Sequence, residues 1–332
     1  MAGKTMQAVQ YGSYGGGATA LKHVEVLVPS PKKDELLLKL EAASVNPIDW
    51  KIQKGILRPI MPSKFPFIPV TAVAGEVVEL GSDVKNFKPG DKVVSMLEIK
   101  KGGGLAEYAV SSPNTTAQRP PEVSAADAAG LPIAASTALQ ALTNCGAKYD
   151  GSGNPFNILI TAASGGVGHY AVQLAKLANF HVTATCGARN IDIVKSLGAD
   201  EVLDYKTPEG ASLKSPSGKK YDAVIHCTVG IEWSKFEPNL SERGMVIDIT
   251  PSPGTILSSF LKKITFAKKK IVPLLNVIKE EDLRFLVGLM KEGKLKTLVD
   301  SSFPLSRAEE AWAKSMDGHA TGKIIIQIGD GL

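Results

Sequence analysis

A glycine-rich turn gives the strongest chemical signal in the sequence. The stretch "TAASGGVGHYAVQLAK", residues 161–176, has three glycines in four positions, with the apolar run "FNILI" before it and an alanine-rich segment of helical spacing after it. A strand that runs through such a turn into a helix places backbone N–H groups around a pyrophosphate. We therefore expect Gly165 to let the phosphate approach and Gly168 to let the helix pack closely on the strand. The residues predicted to hold the dinucleotide here are Ser164, Gly165, Gly166, Val167 and Gly168.

The first glycine of the usual GxGxxG fingerprint is replaced by Ala163 in this chain, so the motif alone is weak evidence. The alternative is tight packing of strand on helix without any ligand. The turn is the first strand-to-helix connection in a long series of alternating strands and helices, and this position favours dinucleotide binding.

The end of the next strand bears on the choice of coenzyme. NAD-binding folds usually carry an Asp or Glu about 20 residues after the glycines, hydrogen-bonded to the adenosine ribose. Here the strand "HVTATC" ends in "GARN", residues 187–190, which contains no acid but offers Arg189. A guanidinium without a competing carboxylate favours a 2′-phosphate and hence NADP(H); the alternative is an exposed loop arginine. The residues predicted to line this part of the site are Thr185, Cys186, Gly187 and Arg189.

The periodicity of the chain predicts the elements that position these residues. Residues 1–120 consist of short β-like runs such as "ELLLKLEAAS" and "AGEVVEL", cut by turns such as "KPGDK". From about Ser124, helical segments alternate with apolar strands, which indicates βαβ units and a parallel sheet. The tail returns to mixed elements and the final strand "GKIIIQIG". We predict an α/β protein in which a doubly wound parallel sheet follows a separate β domain, onto which the tail closes.

Composition bounds the function classes. A chain of 332 residues suits two domains, and 44% hydrophobic with 21% charged residues is ordinary for a soluble enzyme. No segment approaches the roughly 20 apolar residues of a membrane-spanning helix. A net charge of +5 without a basic stripe interleaved with aromatics argues against a nucleic-acid partner.

The cysteines and the N-terminus bear on the compartment. Neither a disulfide framework nor a CxxC metal site fits Cys145, Cys186 and Cys227, which indicates a reducing compartment. The N-terminus resembles neither a signal peptide nor a long transit segment.

Several linked motifs carry a family resemblance over nearly the whole chain. They are "AASVNPIDWKIQKG", "FPFIPVTAVAGEVVELGSDVKNFKPGDKVV", "GGGLAEYAV", "AAGLPIAASTALQAL", "AASGGVGHYAVQLAK", "GADEVLDY" and "ATGKIIIQ". In this order they resemble a zinc-independent medium-chain dehydrogenase/reductase of the quinone oxidoreductase type, and among these the plant members of the chloroplast envelope. The chain departs from the family at Pro69-Val70, where Pro-Gly is usual, and at Ala72, where an acid is common. These differences bear on loop geometry and pocket shape.

The resemblance implies a GroES-like β-barrel catalytic domain at residues 1–125 and 280–332 and a Rossmann NADP(H)-binding domain at residues 126–279. Zinc-dependent relatives place a Cys where "VNPID" stands, a His-Glu pair near "VTAVAGE" and a four-cysteine lobe before "GGGLAEYAV". This sequence has none of those ligands. No metal site is therefore predicted, and Lewis-acid oxidation of an alcohol is disfavoured.

The resemblance then implies hydride transfer from NADPH to the β-carbon of an α,β-unsaturated carbonyl (an alkenal, an enone or an oxidised-lipid ketone) or to a quinone. Asn46, in "NPID", matches a family position near the nicotinamide and is expected to orient the ribose or the substrate carbonyl. Lys51 is a candidate electrostatic partner of a developing enolate. For each residue the alternative is a loop side chain bonded to backbone.

Other family positions lie on the coenzyme side. Thr137, in "STALQAL", is expected either to face the coenzyme or to bond its own helix backbone. Tyr205 matches an adenosine-side aromatic or is a half-buried tyrosine at a strand end. His226 is expected to be a satisfied core histidine, and Asp49 is not expected to join an acid–base pair. The loop after the strand "DAVIHC" should pass the coenzyme. Its residues are Thr228, Val229 and Gly230.

Two rival functions stay open. One is a dinucleotide-binding structural or sensory protein with little turnover, which members of the family show to exist. The other is a zinc alcohol dehydrogenase, which the missing ligands disfavour.

Location and assembly are predicted as well. In "SSFLKKITFAKKKIVPLL", residues 258–275, lysines alternate with apolar residues, and each lysine near anionic lipid contributes about 1 kcal/mol. These lysines are Lys262, Lys263, Lys268, Lys269 and Lys270. The alternative is a solvated loop and helix. The resemblance implies a chloroplast protein, peripheral to the inner envelope membrane and without a cleavable transit peptide.

The resemblance also implies a homodimer through the Rossmann domains, for which "GMVIDIT" and "KKKIVPLL" are the candidate edge strands.

Overall fold

The computed structural model describes residues 3–62, 64–264 and 267–329. The chain forms two compact units, Met1–Ser136 with Ile278–Leu332 and Thr137–Val277, called unit 1 and unit 2 below. The predicted division fell after residues 125 and 279, and the role of each unit stays a prediction.

The strands, in chain order, are β1 (Thr5–Gln10), β2 (Lys22–Leu27), β3 (Leu36–Val45), β4 (Ala72–Leu80), β5 (Lys92–Met96), β6 (Tyr108–Ser111), β7 (Thr116–Gln118), β8 (Asn157–Ile160), β9 (His181–Cys186), β10 (Glu201–Asp204), β11 (Tyr221–His226), β12 (Leu240–Asp248), β13 (Lys270–Pro273), β14 (Val299–Pro304) and β15 (Lys323–Gln327).

The α-helices are α1 (Pro47–Lys54), α2 (Ala125–Ala129), α3 (Ser136–Asn144), α4 (Gly168–Leu177), α5 (Ile191–Ser196), α6 (Pro208–Ala211), α7 (Trp233–Phe236), α8 (Pro253–Ile264), α9 (Glu280–Lys291) and α10 (Ala308–Asp317). A π-helical turn at Leu131–Ala135 leads into α3. Short 3-10 turns occupy Gly17–Ala20, Pro113–Thr115, Ala188–Asn190, Glu237–Asn239 and Leu305–Arg307.

Unit 1 is built on a mainly antiparallel sheet in the order β14-β15-β3-β4-β5-β7, with β6 also paired to β3. Successive residues of a strand face opposite sides of the sheet. Leu36, Leu38 and Leu40 of β3 accordingly enter one core, around Trp312, while Leu37 enters a second. Burial of both faces explains why Leu36, Leu37 and Leu38 are three apolar residues in a row rather than alternating with polar ones.

Unit 2 contains a parallel sheet in the order β10-β9-β8-β11-β12-β13, which confirms the predicted βαβ series. The chain starts at β8, adds strands on one side and then returns to add β11 on the other side. The order of strands therefore reverses between β8 and β11, and ligands of doubly wound sheets bind beside such a reversal.

One edge-strand prediction is wrong. The segment "GMVIDIT" lies in β12, which pairs with both β11 and β13 and is an interior strand. β13, in "KKKIVPLL", forms the edge as predicted. Position in a sheet depends on where a crossover connection returns the chain, and local hydrophobicity does not encode that. Over the described ranges, no helix combines the length and the apolar character needed to cross a membrane.

Candidate functional site

The glycine-rich turn joins β8 to α4 beside the reversal of strand order. A β-carbon on Gly168 would lie 2.3 Å from the carbonyl oxygen of Ala162 and 2.6 Å from Cα of Ala163, so only glycine fits there. This is the close packing of helix on strand that the sequence predicted for Gly168. At Gly165 a β-carbon would lie 3.2 Å from the Ala162 oxygen, which is tight but not prohibitive.

The turn presents backbone donors. Ala163 N donates to the Thr185 carbonyl at 2.8 Å, and Ala162 N donates to Thr185 Oγ1 at 3.2 Å, so the first part of the turn is tied to β9. Beyond it, the backbone N–H groups of Gly166, Val167 and Gly168 find no acceptor among the described residues. Unpaired N–H groups at the start of the ten-residue helix α4 carry positive partial charge. They fit the pyrophosphate of a dinucleotide.

The end of β9 is the predicted ribose side. Cys186 is buried, the exposed Arg189 belongs to a 3-10 turn at Ala188–Asn190, and residues 187–190 contain no carboxylate. Asn190 Nδ2 donates to Ser164 Oγ at 3.0 Å and links this turn to the glycine-rich turn. Sequence reasoning missed Asn190, although its amide directly follows Arg189 in "GARN".

Tyr205 lies at the end of β10 with 49% of its surface exposed, and Lys206 Nζ is 6.0 Å from the centre of its ring. Its neighbour Asp204 pairs in register with Cys186, and Asp204 Oδ1 accepts from the backbone N of Lys206 at 3.0 Å. The ring is accessible from solvent, and the adenosine-side role of Tyr205 stays a prediction.

The loop after β11 is held by hydroxyls. Thr161 Oγ1 accepts from Cys227 N at 2.9 Å, and Thr250 Oγ1 donates to the Thr228 carbonyl at 3.0 Å. Val229, beyond these bonds, is 69% exposed, and Gly230 has a φ of 83°. The predicted coenzyme loop is thus anchored at its base and open at its tip.

His226 lies at the base of that loop. It is 5% exposed, and its Nδ1 is 3.1 Å from Thr161 Oγ1. Burial lowers its pKa, and the charge of Asp248 opposes that shift. This is the satisfied core histidine that the sequence predicted.

Thr137 has a side-chain partner in the segment after β13, and both roles predicted for it stay predictions. The residue is 8% exposed, and its hydroxyl accepts from Asn276 Nδ2 at 2.8 Å, which connects α3 to the segment after β13. A role toward the coenzyme stays a prediction.

Asn46, in unit 1, lies in a buried polar cluster at the start of α1. Its Nδ2 donates to the Ser44 carbonyl at 2.7 Å, its Oδ1 accepts from Lys323 Nζ at 2.5 Å, and its backbone N donates to Asp49 Oδ2 at 2.7 Å. Asn46, Asp49 and Lys323 are 2%, 4% and 3% exposed. The sequence prediction included Asn46, expected no acid–base role for Asp49, and did not include Lys323.

Burial controls the charges in this cluster. It raises the pKa of Asp49 to about 7, with Lys323 and the Asn46 N–H opposing the shift. It lowers the pKa of Lys323 to about 8, against the charge of Asp49. The sequence signal that marks Lys323 is a lysine at the head of the apolar strand "KIIIQ".

Lys51 lies on α1 but outside this cluster. It is half-buried, burial lowers its pKa, and its Nζ is 5.8 Å from the centre of the Trp50 ring. No hydrogen bond joins it to Asn46 in the part of the chain that the structure describes. In the same part, no three His, Cys, Asp or Glu side chains are grouped in a way that would hold a metal ion.

Two family models match the chain. Residues 32–121 match the alcohol dehydrogenase GroES-like domain, and residues 197–326 match a zinc-binding dehydrogenase. The first match lies within unit 1, in the region where the sequence predicted a GroES-like barrel.

Curated relatives match over almost the full length. The chain is 69% identical over 328 residues to a chloroplast envelope quinone oxidoreductase homolog of Arabidopsis thaliana, covering 98% of this chain and 100% of that protein. It is 31% identical over 333 residues to a chloroplastic NADPH-dependent alkenal/one oxidoreductase of the same plant, covering 97% and 80%. The solved quinone oxidoreductase of Coxiella burnetii superposes with a TM-score of 0.88 at 32% identity, covering 98% of this chain and 100% of that one.

Proposed function

The chain belongs to the medium-chain dehydrogenase/reductase family, in its quinone oxidoreductase branch, and on that premise we propose that it is an NADPH-dependent, metal-free reductase of activated C=C bonds and quinones. Membership of the family makes the chain a dinucleotide-binding oxidoreductase with a GroES-like domain and a Rossmann-type sheet. The observation that carries the proposal is the turn from β8 to α4, with its open N–H groups at the reversal of strand order.

NADPH is proposed over NADH because of the residues after β9. The turn at residues 187–190 has no carboxylate to accept from ribose hydroxyls or to repel a 2′-phosphate, and Arg189 supplies a cation. The relative that is named an NADPH-dependent alkenal/one oxidoreductase supports both the coenzyme and the substrate class.

The residues of this chain bind, orient and polarise the reactants, and NADPH, when bound, supplies the hydride. The β-carbon of the substrate accepts a hydride, the π electrons of the C=C bond move onto the carbonyl oxygen, and a proton from water completes the α-carbon. Asn46 and Lys51 are proposed to act on the substrate side, where negative charge develops on that oxygen. A metal-free reaction is supported by the absence, at "VNPID" and "VTAVAGE", of the ligands found in zinc-dependent relatives.

The test is NADPH oxidation by the purified protein with a panel of enones, alkenals and quinones, together with metal analysis of the same sample. We expect turnover with several of these substrates and no stoichiometric zinc. Tight NADPH binding without turnover would favour the structural or sensory alternative. Zinc at one equivalent with alcohol oxidation would favour the zinc alcohol dehydrogenase.

Location in the chloroplast, at the inner envelope membrane, is proposed from the relative named for that envelope. Exposed apolar side chains on α8 support a peripheral contact: Ile256, Leu257 and Phe260 are 54%, 60% and 60% exposed. Lys268, Lys269 and Lys270 follow, whereas the side chains of Lys262 and Lys263 lie outside the described residues.

A homodimer is proposed through β13, the exposed edge of the parallel sheet in unit 2. Light scattering at micromolar concentration tests this assembly. We expect twice the chain mass of 35.1 kDa, and the mass of a single chain would reject it.

A further inference from the structure

The orientation of the Asn46 amide is fixed by the chemistry of its partners. The Lys323 ammonium can only donate hydrogen bonds, so the amide oxygen must face it, and the Ser44 carbonyl can only accept, so the amide nitrogen must face that side. The second Nδ2 hydrogen has no acceptor among the described residues. Asn46 is therefore locked as a hydrogen-bond donor.

The buried ammonium of Lys323 is unfavourable for the stability of the fold. Its ammonium is buried and contacts a neutral amide oxygen. Among the described residues, Lys323 Nζ has no carboxylate oxygen of Asp49 within 4.0 Å, although the charge of Asp49 acts on its pKa. A buried ammonium without a direct counter-ion costs several kcal/mol, and an apolar residue would continue the strand "KIIIQ" without that cost. A charge kept at this cost calls for a role other than stability.

We propose that Lys323 is a positioning residue that fixes and polarises the Asn46 amide as a donor to the carbonyl oxygen of the substrate. This inference rests on the proposed function. When hydride adds to the β-carbon, the π electrons move to the oxygen, and the Nδ2 hydrogen meets that developing charge. A cation on the amide oxygen draws electron density from the nitrogen and strengthens the donor.

The orientation of the Asn46 amide also distinguishes the two roles predicted for it, contact with the ribose and contact with the substrate carbonyl. A ribose hydroxyl can pair with either end of an amide, whereas a carbonyl or enolate oxygen needs a donor. The orientation set by Lys323 thus favours contact with the substrate oxygen and predicts that substrates must carry a carbonyl or quinone oxygen conjugated to the reduced bond.

Lys323→Met and Asn46→Asp test the inference by kinetics. Lys323→Met should lower kcat for an enone by about ten- to a hundredfold with the NADPH Kd unchanged. Asn46→Asp keeps an acceptor for Lys323 but removes the donor, so kcat should fall about a hundredfold or more. The melting temperature is measured in parallel, because the Nδ2 bond to the Ser44 carbonyl is lost as well. Lys39→Met, at an exposed lysine of β3, is the control and should match the wild type. An Asn46→Asp protein with wild-type kcat would overturn the inference.

A spectroscopic readout separates positioning from a structural effect and works even where Lys323→Met does not fold. In a complex with NADP⁺ and a ¹³C=O-labelled saturated ketone, the carbonyl stretch should lie below its frequency in water and return upward in Asn46→Asp. In the wild type the downshift should weaken as the pH passes about 8, where Lys323 loses its proton. The titratable groups that face this cluster are Asp49 and Tyr11, whose pKa burial raises.

Wild-type protein without NADPH turnover contradicts the proposed function itself. Turnover with the same carbonyl frequency in the wild type and in Asn46→Asp, at every pH, contradicts only the role of Lys323 and Asn46.

Discussion

A β-carbon at Gly187 would lie 3.6 Å from Cε1 of Tyr205 and 3.7 Å from its phenolic oxygen, which are ordinary van der Waals distances. The φ of Gly187 is −81°, a value open to any residue. Neither space nor backbone therefore forces glycine at the end of β9. An acid can therefore be introduced at this position to test the proposed choice of coenzyme.

Gly187→Asp should reverse part of the coenzyme preference. The new carboxylate would repel a 2′-phosphate and accept from ribose hydroxyls, so kcat/KM should fall by about tenfold or more for NADPH and hold or rise for NADH. Gly187→Asn, of the same size without the charge, is the control. Equal changes in the Asp and Asn variants would show that bulk, not charge, acts at this position.

Arg189→Ala should weaken NADPH alone. A hydrogen bond to a charged group contributes about 1.5 to 3 kcal/mol, so kcat/KM for NADPH should drop by about ten- to a hundredfold. NADH should hardly change. Lys195→Ala, which removes an exposed cation of α5, is the matched control. If Arg189→Ala lowers kcat/KM equally with both coenzymes, the arginine supports the loop and does not read the phosphate.

Gly168→Ala should destabilise unit 2 and remove coenzyme binding. The added methyl group would overlap the backbone of Ala162 and Ala163, and overpacking of this kind costs about 1 to 3 kcal/mol. Gly288→Ala, in the middle of α9 with open space around it, should instead be neutral or stabilising by up to about 1 kcal/mol. Denaturant unfolding measures both. Equal stability of the two variants would contradict the packing role of Gly168.

Local sequence predicted the parts of the site that local geometry decides. The spacing of the glycines identified the turn, and Gly168 has the close contact expected of it. The alternation of strands and helices predicted the parallel sheet, because each βαβ unit is encoded within a short stretch of chain.

What escaped prediction depends on distant pairing. Lys323 bonds Asn46 across 277 positions, and no local pattern relates the two. The place of β12 inside the sheet follows from the path of the crossover through α8, which hydrophobicity does not record. Ala162 adopts a φ of 48°, a conformation that its residue type does not suggest.

His226 should make the protein less stable in mild acid. Burial lowers its pKa from the ordinary 6.5, so below that pH the unfolded chain binds a proton that the folded chain resists. Its contribution is complete above pH 6.5 and is lost as the pH falls toward the lowered folded-state pKa. His226→Gln should therefore flatten the fall of unfolding free energy between pH 7 and 5. Parallel curves for the wild type and His226→Gln would contradict this assignment.

Flotation with vesicles of anionic lipid tests the membrane contact. We expect binding at low salt and release at high salt, since lysines drive it. Replacing Lys268 and Lys270 by Ala should weaken binding by about thirtyfold, at about 1 kcal/mol per lysine. The same change at the exposed Lys32 and Lys33 is the control. Negligible binding of the wild type at both salt concentrations would dismiss the contact.

Hydride from NADPH is proposed to reach the β-carbon of an activated double bond. The most direct test is a reaction of the wild-type protein with an enone and NADPH in which both C4 hydrogens are deuterium, followed by mass spectrometry and NMR of the product. We expect a saturated ketone with one deuterium on the β-carbon and a solvent proton on the α-carbon. Deuterium on the hydroxyl-bearing carbon of an alcohol product, or no labelled product at all, would contradict hydride transfer to the β-carbon.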